Sequence, residues 1–180
     1  MHKLPSNTVA VLQAQCIRAM FTYSESAWQV RPAQTSDLNA IATWLAAVPG
    51  HSWGGDELQQ SLQAKNRHLW VALDAGSNIA CGFLIVQCVL DEATVLFMAV
   101  DPCSRKRGVA SALLKVLQSQ SEALGCQRIV LEVRQSNHPA QQLYQKYGFA
   151  VVGERRNYYP VLAPHGGRED ALVLAWQRPG

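Results

Sequence analysis

Between residues 94 and 149 the chain twice runs an apolar strand straight into a helix. "TVLFMAV" stops at Asp101-Pro102, and Val109, Leu113, Val116, Leu117 and Leu124 then recur with helical spacing up to Gly125. "RIVLEVR" repeats the move, with Pro139 near the start of the next helix and Gly148 just past its end. Helices fed directly by strands must pack on the sheet those strands form. The flanking segments are consistent with this. Strands are expected at residues 28–31, 68–73 and 79–90, the last two joined by "DAGSN", with "DEA" at 91–93 as a tighter turn. Ser36-Asp37 opens an amphipathic helix carrying Leu38, Ile41, Leu45 and Val48. Asp56 and Glu57 favour the first turn of a second helix, after the glycine-rich loop "VPGHSWGGDEL". Two more strands, at residues 149–155 and 171–176, close the chain. The order is strands, two strand-to-helix units, then strands, which predicts one α/β domain with a mixed sheet.

A chain of 180 residues, 48% hydrophobic and 16% charged, has material for one buried core. Its net charge of +3 does not call for nucleic acid, and its aromatics do not interleave with basic residues as a stacking platform requires. The five cysteines are odd in number and form no CxxC pair, which argues against a disulfide framework or a structural metal, and for a reducing cytoplasm. No run reaches the ~20 apolar residues of a membrane helix. "VAVLQAQCI" near the start lacks a cleavage site, so it is not read as a secretory signal. Residues 1–25 read as an extension, weakly helical over 8–21 and dispensable if Met20 is the true start. The domain proper is residues 26–180.

"VDPCSRKRGVASALL" brings Arg105, Lys106, Arg107 and Gly108 to the start of a helix directly after a strand. Unpaired N–H groups and the helix dipole make such a position an anion site, and glycine permits close backbone approach. The cations suit a pyrophosphate. In isolation "RKRG" would be a solvated basic loop; its place beyond a strand's carboxyl end favours the ligand reading. Neither GxxxxGK nor GxGxxG is present.

Glu132 interrupts the apolar run of residues 129–133. By strand alternation it shares a face with Val130 and Arg134, opposite Ile129, Leu131 and Val133. It is either a solvated residue or a carboxylate whose burial would make it a better general base. Tyr144 follows on the returning helix, where core packing is its ordinary role. Together, both residues can face a cleft beside the anion site.

At this point "AVDPCSRKRGVASALL" resembles the acetyl-CoA motif [QR]-x-x-G-x-[GA] of the GNAT superfamily of N-acetyltransferases, through Arg105, Gly108 and Ala110. "VLDEATVLFMAVDP", "LEVRQSNHPAQQLYQKYGF", "RRNYYP" and "REDALVLA", in that order, narrow the resemblance to the RimI-type ribosomal-protein alanine N-acetyltransferases. It runs from about Trp28 to Trp176.

The resemblance implies a GNAT fold: a mixed, mostly antiparallel sheet of about seven strands, splayed between the fourth and fifth, with about four helices. It implies acetyl transfer from acetyl-CoA, with no metal, to the N-terminal α-amine of a small-subunit ribosomal protein. Direct attack leaves every cysteine without a nucleophilic role. Glu132 would be the general base and Tyr144 the general acid. Met98, Ala99 and Val100 would hold the pantetheine arm and thioester. Arg105, Lys106, Arg107, Gly108, Val109, Ala110 and Ser111 would hold the pyrophosphate, and Asn137 would contact the cofactor. "NYYP" and Glu169-Asp170 would frame a peptide groove with Tyr159 as a contact, and Asp91 and Glu92 would attract a basic peptide or serve only as turn residues. The stretch "AAVPGHSWGG" departs from the family pattern, keeping only Trp53. No direct nucleic-acid or membrane contact is implied, and the location is cytoplasmic. Two rival readings share the cofactor site: an acetyltransferase for a small amine or lysine side chain, and a non-catalytic acetyl-CoA or ribosomal-protein adaptor.

Overall fold

A computed structural model describes residues 23–25, 27–50, 53–161 and 166–179. The helix expected over residues 8–21 lies outside them. The described residues form eight strands: β1 (Tyr23–Glu25), β2 (Trp28–Pro32), β3 (Arg67–Asp74), β4 (Ala80–Val89), β5 (Glu92–Val100), β6 (Arg128–Arg134), β7 (Ala150–Pro160) and β8 (Arg168–Gln177). The four helices are α1 (Thr35–Leu45), α2 (Gly55–Gln63), α3 (Val109–Gln120) and α4 (His138–Lys146). One sheet has the order β1-β2-β3-β4-β5-β6-β8-β7, with β5 and β6 its parallel pair. The seven strands expected from Trp28 onward are present, and β1 adds an edge strand that pairs with the otherwise open side of β2.

Element ends differ from expectation where local hydrogen bonds decide them. The β4–β5 turn falls at Leu90-Asp91, with Leu90 in the left-handed region (φ 55°), so β5 already begins at Glu92. Helix α3 stops at Gln120, where the Ser121 hydroxyl bonds back to the Gln118 carbonyl, and the chain winds on through turns to Gly125. Strand β7 continues to Pro160 because register shifts let it follow β8 well past Arg155.

Each face of the sheet has its own core. Helix α3 sets Leu113, Leu114 and Leu117 against Ile129, Leu131 and Val133, and α4 adds Tyr144 to this group. On the other face, Leu38, Ile41 and Leu45 of α1 and Leu58 of α2 pack on Leu69, Val71, Phe83 and Ile85. Asp37 is buried but satisfied: Arg31 on β2 reaches both its oxygens at 2.8 Å, and the Gln34 N–H donates to it at 2.7 Å. That pair fastens α1 to β2.

The sheet opens between β5 and β6. Their pairing covers only Glu92↔Arg128, Ala93↔Ile129 and Thr94↔Val130. Directly beyond it, β5 carries a bulge. Val95 opposes Val86 and Phe97 opposes Ile85, which leaves Leu96 as the extra residue. A bulge bends its strand and shifts side-chain alternation by one. Accordingly Ala93, Val95, Met98 and Val100 all join the core beneath α3, while Phe97 and Ala99 join the other. Past Thr94, β5 turns its far edge into the gap instead of onto β6.

Candidate active site

Helix α3 begins where β5 ends, and two glycines set how closely. A Cβ on Gly82, paired with Val100, would stand 2.7 Å from Val109 Cγ1 and 3.1 Å from the Ala99 carbonyl oxygen, so only glycine lets the first turn of α3 sit flat on the strands. Gly108, just before the helix, has φ 93°, a conformation that side chains resist. The Ala112 N–H is bonded back to the Gly108 carbonyl at 3.0 Å, so the N–H groups of Val109, Ala110 and Ser111 precede the intrahelical ladder.

The three basic residues ahead of this turn are not equivalent. Arg107 is engaged: its carbonyl accepts from Trp28 Nε1 at 2.9 Å, its guanidinium lies 5.1 Å from the Trp28 ring, and Asp74 stands at 3.8 Å. Arg105 and Lys106 are exposed and lack an ion-pair partner among the described residues, and Lys106 has φ 60°. This turn therefore offers backbone donors and two uncommitted cations to an anion. Met98, Ala99 and Val100 form the end of β5 that leads into it, beyond the last β5–β6 pair. Asn137 is exposed at the start of α4, where its Oδ1 accepts from the Ala140 N–H at 3.3 Å.

Glu132 and Tyr144 do not share a face, contrary to the single cleft expected for them. Tyr144 belongs to the α3–α4 core, 7% exposed, its ring 5.9 Å from that of Phe149. Glu132 points the other way with Arg134, whose Nη2 donates to the Gly50 carbonyl beyond α1 at 3.2 Å. The opening in the sheet links the two sides. Glu132 is two residues beyond Val130, the last β6 residue paired with β5, and is level with the Leu96 bulge. Tyr159 lies between them, its hydroxyl donating to the Glu132 carbonyl at 3.5 Å. Burial, with a smaller effect from Tyr159, pushes the Tyr144 phenol well above the usual tyrosine range. Burial and the Glu132 charge push Tyr159 up to about 12.

The Glu132 carboxylate is 21% exposed and is not alone: Arg155 Nε lies 2.8 Å from it. A hydrogen bond with Glu132 also raises the Tyr158 phenol. Around it runs a sequence of stacked groups. Arg155 lies 5.3 Å from the Tyr158 ring, Tyr158 meets Tyr159 edge-on at 4.9 Å, and Arg134 covers Tyr159 at 4.4 Å. Arg134 also donates to Glu169 at 2.7 Å and to the Pro160 carbonyl at 3.0 Å, so it joins β6, β7, β8 and the loop after α1. Hydrogen bonds from Ser136 and Arg134 hold the Glu169 carboxyl below its usual range. Asp91 and Glu92 lie at the closed end of the β5–β6 pair, where Glu92 binds Arg128 at 3.2 Å. Trp53 stacks on Phe97 at 5.5 Å.

Arg134 and Arg155 were not singled out from the sequence. Alternation does put Arg134 beside Glu132. Arg155 carried no local signal, since its reach to Glu132 depends on the register of three strands.

Known proteins resemble this chain in sequence and in fold. Over 93 residues the chain is 47% identical to the ribosomal protein bS18-alanine N-acetyltransferase of Haemophilus ducreyi, a match spanning 52% of this chain and 63% of that one. It is 39% identical over 142 residues to the bS18-alanine N-acetyltransferase of Escherichia coli, covering 79% and 92% of the two chains. The crystal structure of the ribosomal-protein-S18-alanine N-acetyltransferase from Escherichia coli superposes with a TM-score of 0.75 at 33% identity, over 85% of this chain and 95% of that one. The model of the acetyltransferase (GNAT) family matches residues 38–149, a span that takes in the bulged strand, the basic turn and both Glu132 and Tyr144. The chain belongs to the acetyltransferase (GNAT) family.

Proposed function

We propose that this protein transfers acetyl from acetyl-CoA to the N-terminal α-amine of a ribosomal protein, an alanine terminus of the bS18 kind, by direct attack in a ternary complex in the cytoplasm. The observation that carries the reading is the opening between β5 and β6 with Glu132 on one side and Tyr144 on the other. The N–H groups of residues 109–111, with Arg105 and Lys106, would hold the pyrophosphate. Arg107 contributes mainly by fixing the turn to Trp28. The free edge of β5 at Met98, Ala99 and Val100 would hold the pantetheine arm, and Asn137 would approach it from the start of α4. When bound, acetyl-CoA supplies an electrophilic thioester carbonyl.

The chain's own groups do the rest. An α-amine with a pKa of about 7.7–8.0 is largely protonated at neutral pH. Glu132 accepts that proton, directly or through a water, and frees the nitrogen lone pair. A β5 N–H near Met98 stabilises negative charge on the carbonyl oxygen. Tyr144, kept protonated by burial, donates to the thiolate as the C–S bond breaks, and the second proton shed by the nitrogen restores the phenol. Tyr159 would line the path of the acceptor peptide. None of these steps needs a metal or a cysteine nucleophile, and residues 26–180 would suffice for them.

The test is steady-state transfer to a synthetic peptide beginning with alanine. Glu132→Gln is expected to lower kcat by roughly a hundredfold or more with acetyl-CoA binding kept, and Tyr144→Phe to lower it comparably. Unchanged turnover removes the residue concerned from its role. A preference for free amines over the peptide overturns the substrate assignment.

A further inference from the structure

We infer that Arg155 is an internal stand-in for the acceptor's amine: it occupies Glu132 and the face of Tyr158 until a peptide N-terminus displaces it. The inference rests on the reading of Glu132 as the acceptor base. An incoming ammonium would seek a carboxylate and an aromatic face to bind. Arg155 already uses both, with Nε 2.8 Å from Glu132 and its guanidinium 5.3 Å from the Tyr158 ring.

The register explains how it arrives there. Glu132 pairs with Val173, and Val173 pairs with Gly153. Gly153 carries no side chain, so Arg155, two residues on, can reach back over the vacant place. The contact is also easily broken. The Arg155 side chain is 56% exposed, and solvent-screened pairs of this kind contribute little. Arg134, a second cation beside Glu132 on this face, differs: it is held by Glu169 and two carbonyls and is only 23% exposed. One arginine is a fixed strut and the other is a movable cap.

Two consequences follow from charge alone. An acceptor must bring a cation to compete for Glu132, which favours an amine over an already acylated terminus. After transfer the product amide is neutral, so once Glu132 has released the amine's proton to solvent, Arg155 returns to the carboxylate and helps clear the site. Arg155 is thus a positioning and selectivity residue that acts through Glu132.

Kinetics on Arg155→Ala and Arg155→Gln test this. The peptide KM is expected to fall about two- to fivefold, a size appropriate to a half-exposed ion pair, while the KM for acetyl-CoA stays in place. Methylguanidinium at millimolar concentration should then raise the peptide KM of Arg155→Ala toward the wild-type value and leave wild type unaffected. A peptide KM that rises or does not change in both variants overturns the inference. Calorimetric binding of the unacetylated peptide in the presence of CoA keeps the two readings apart. Tighter binding to Arg155→Ala supports the cap even if wild type transfers no acetyl, a result that would count against the proposed function alone. Equal or weaker binding rejects the cap.

Discussion

At the scale of single residues, Tyr144 shows how environment selects a role. A phenol in water would begin to lose its proton near pH 10. Burial in the α3–α4 core moves that loss upward, so the donor form persists through the working range. The acceptor binds as its ammonium, whose proton Glu132 takes, and that form of the free peptide is lost as pH rises past about 8. These two titrations predict that kcat/KM for the peptide falls above about pH 8, while kcat at saturating peptide holds level to about pH 9.5. A pH–rate profile checks this, and a decline in kcat beginning below pH 9 would mean that Tyr144 is not the donor. The identities of Glu132 and Tyr144 were readable as candidates because each departs from its surroundings, a carboxylate in an apolar run and a tyrosine before a helix stop. Their placement on opposite faces was readable only for Glu132, from strand alternation. Nothing local to Tyr144 says which side of the sheet its helix will take.

At the scale of elements, the junction between β5 and α3 depends on Gly82. Adding one methyl group there sets a carbon 2.7 Å from Val109 and 3.1 Å from a backbone oxygen, so the helix must retreat from the sheet. Gly82→Ala is expected to destabilise the protein by about 1–3 kcal/mol and to weaken acetyl-CoA binding more than peptide binding. Chemical denaturation combined with calorimetry would check both halves; unchanged affinity for acetyl-CoA would separate the turn from cofactor binding. The two strand–helix units were legible because their periodicity switches from two to 3.6 between clear breakers, Asp101-Pro102 in one and Pro139 in the other. The bulge at Leu96 was not. "TVLFMAV" is apolar at nearly every position, so a one-residue shift in alternation leaves no trace in its composition. The added strand β1 was equally hidden, since three residues are too few to show a period.

At the scale of the whole molecule, several buried or half-buried acids titrate in one direction. Tyr159 is raised from 10.0 to about 12 and Cys88 from 9.0 to about 12, chiefly by burial, and Tyr144 is raised further. A group whose folded pKa exceeds its unfolded value lends stability that is complete below the unfolded value and is lost as pH climbs toward the folded one. Thermal stability is therefore expected to decline from about pH 9 toward pH 12, and Tyr144→Phe should make that decline shallower. Melting curves across this range decide it; an equally steep limb in the variant would show that other groups dominate. The two-sided core also fixes the geometry of traffic at the proposed site. With Glu132 on one face and Tyr144 on the other, the proposed reaction would bring a protein chain and a nucleotide carrier to the break in the sheet from different faces. The spent carrier would then leave without dragging past the newly blocked terminus.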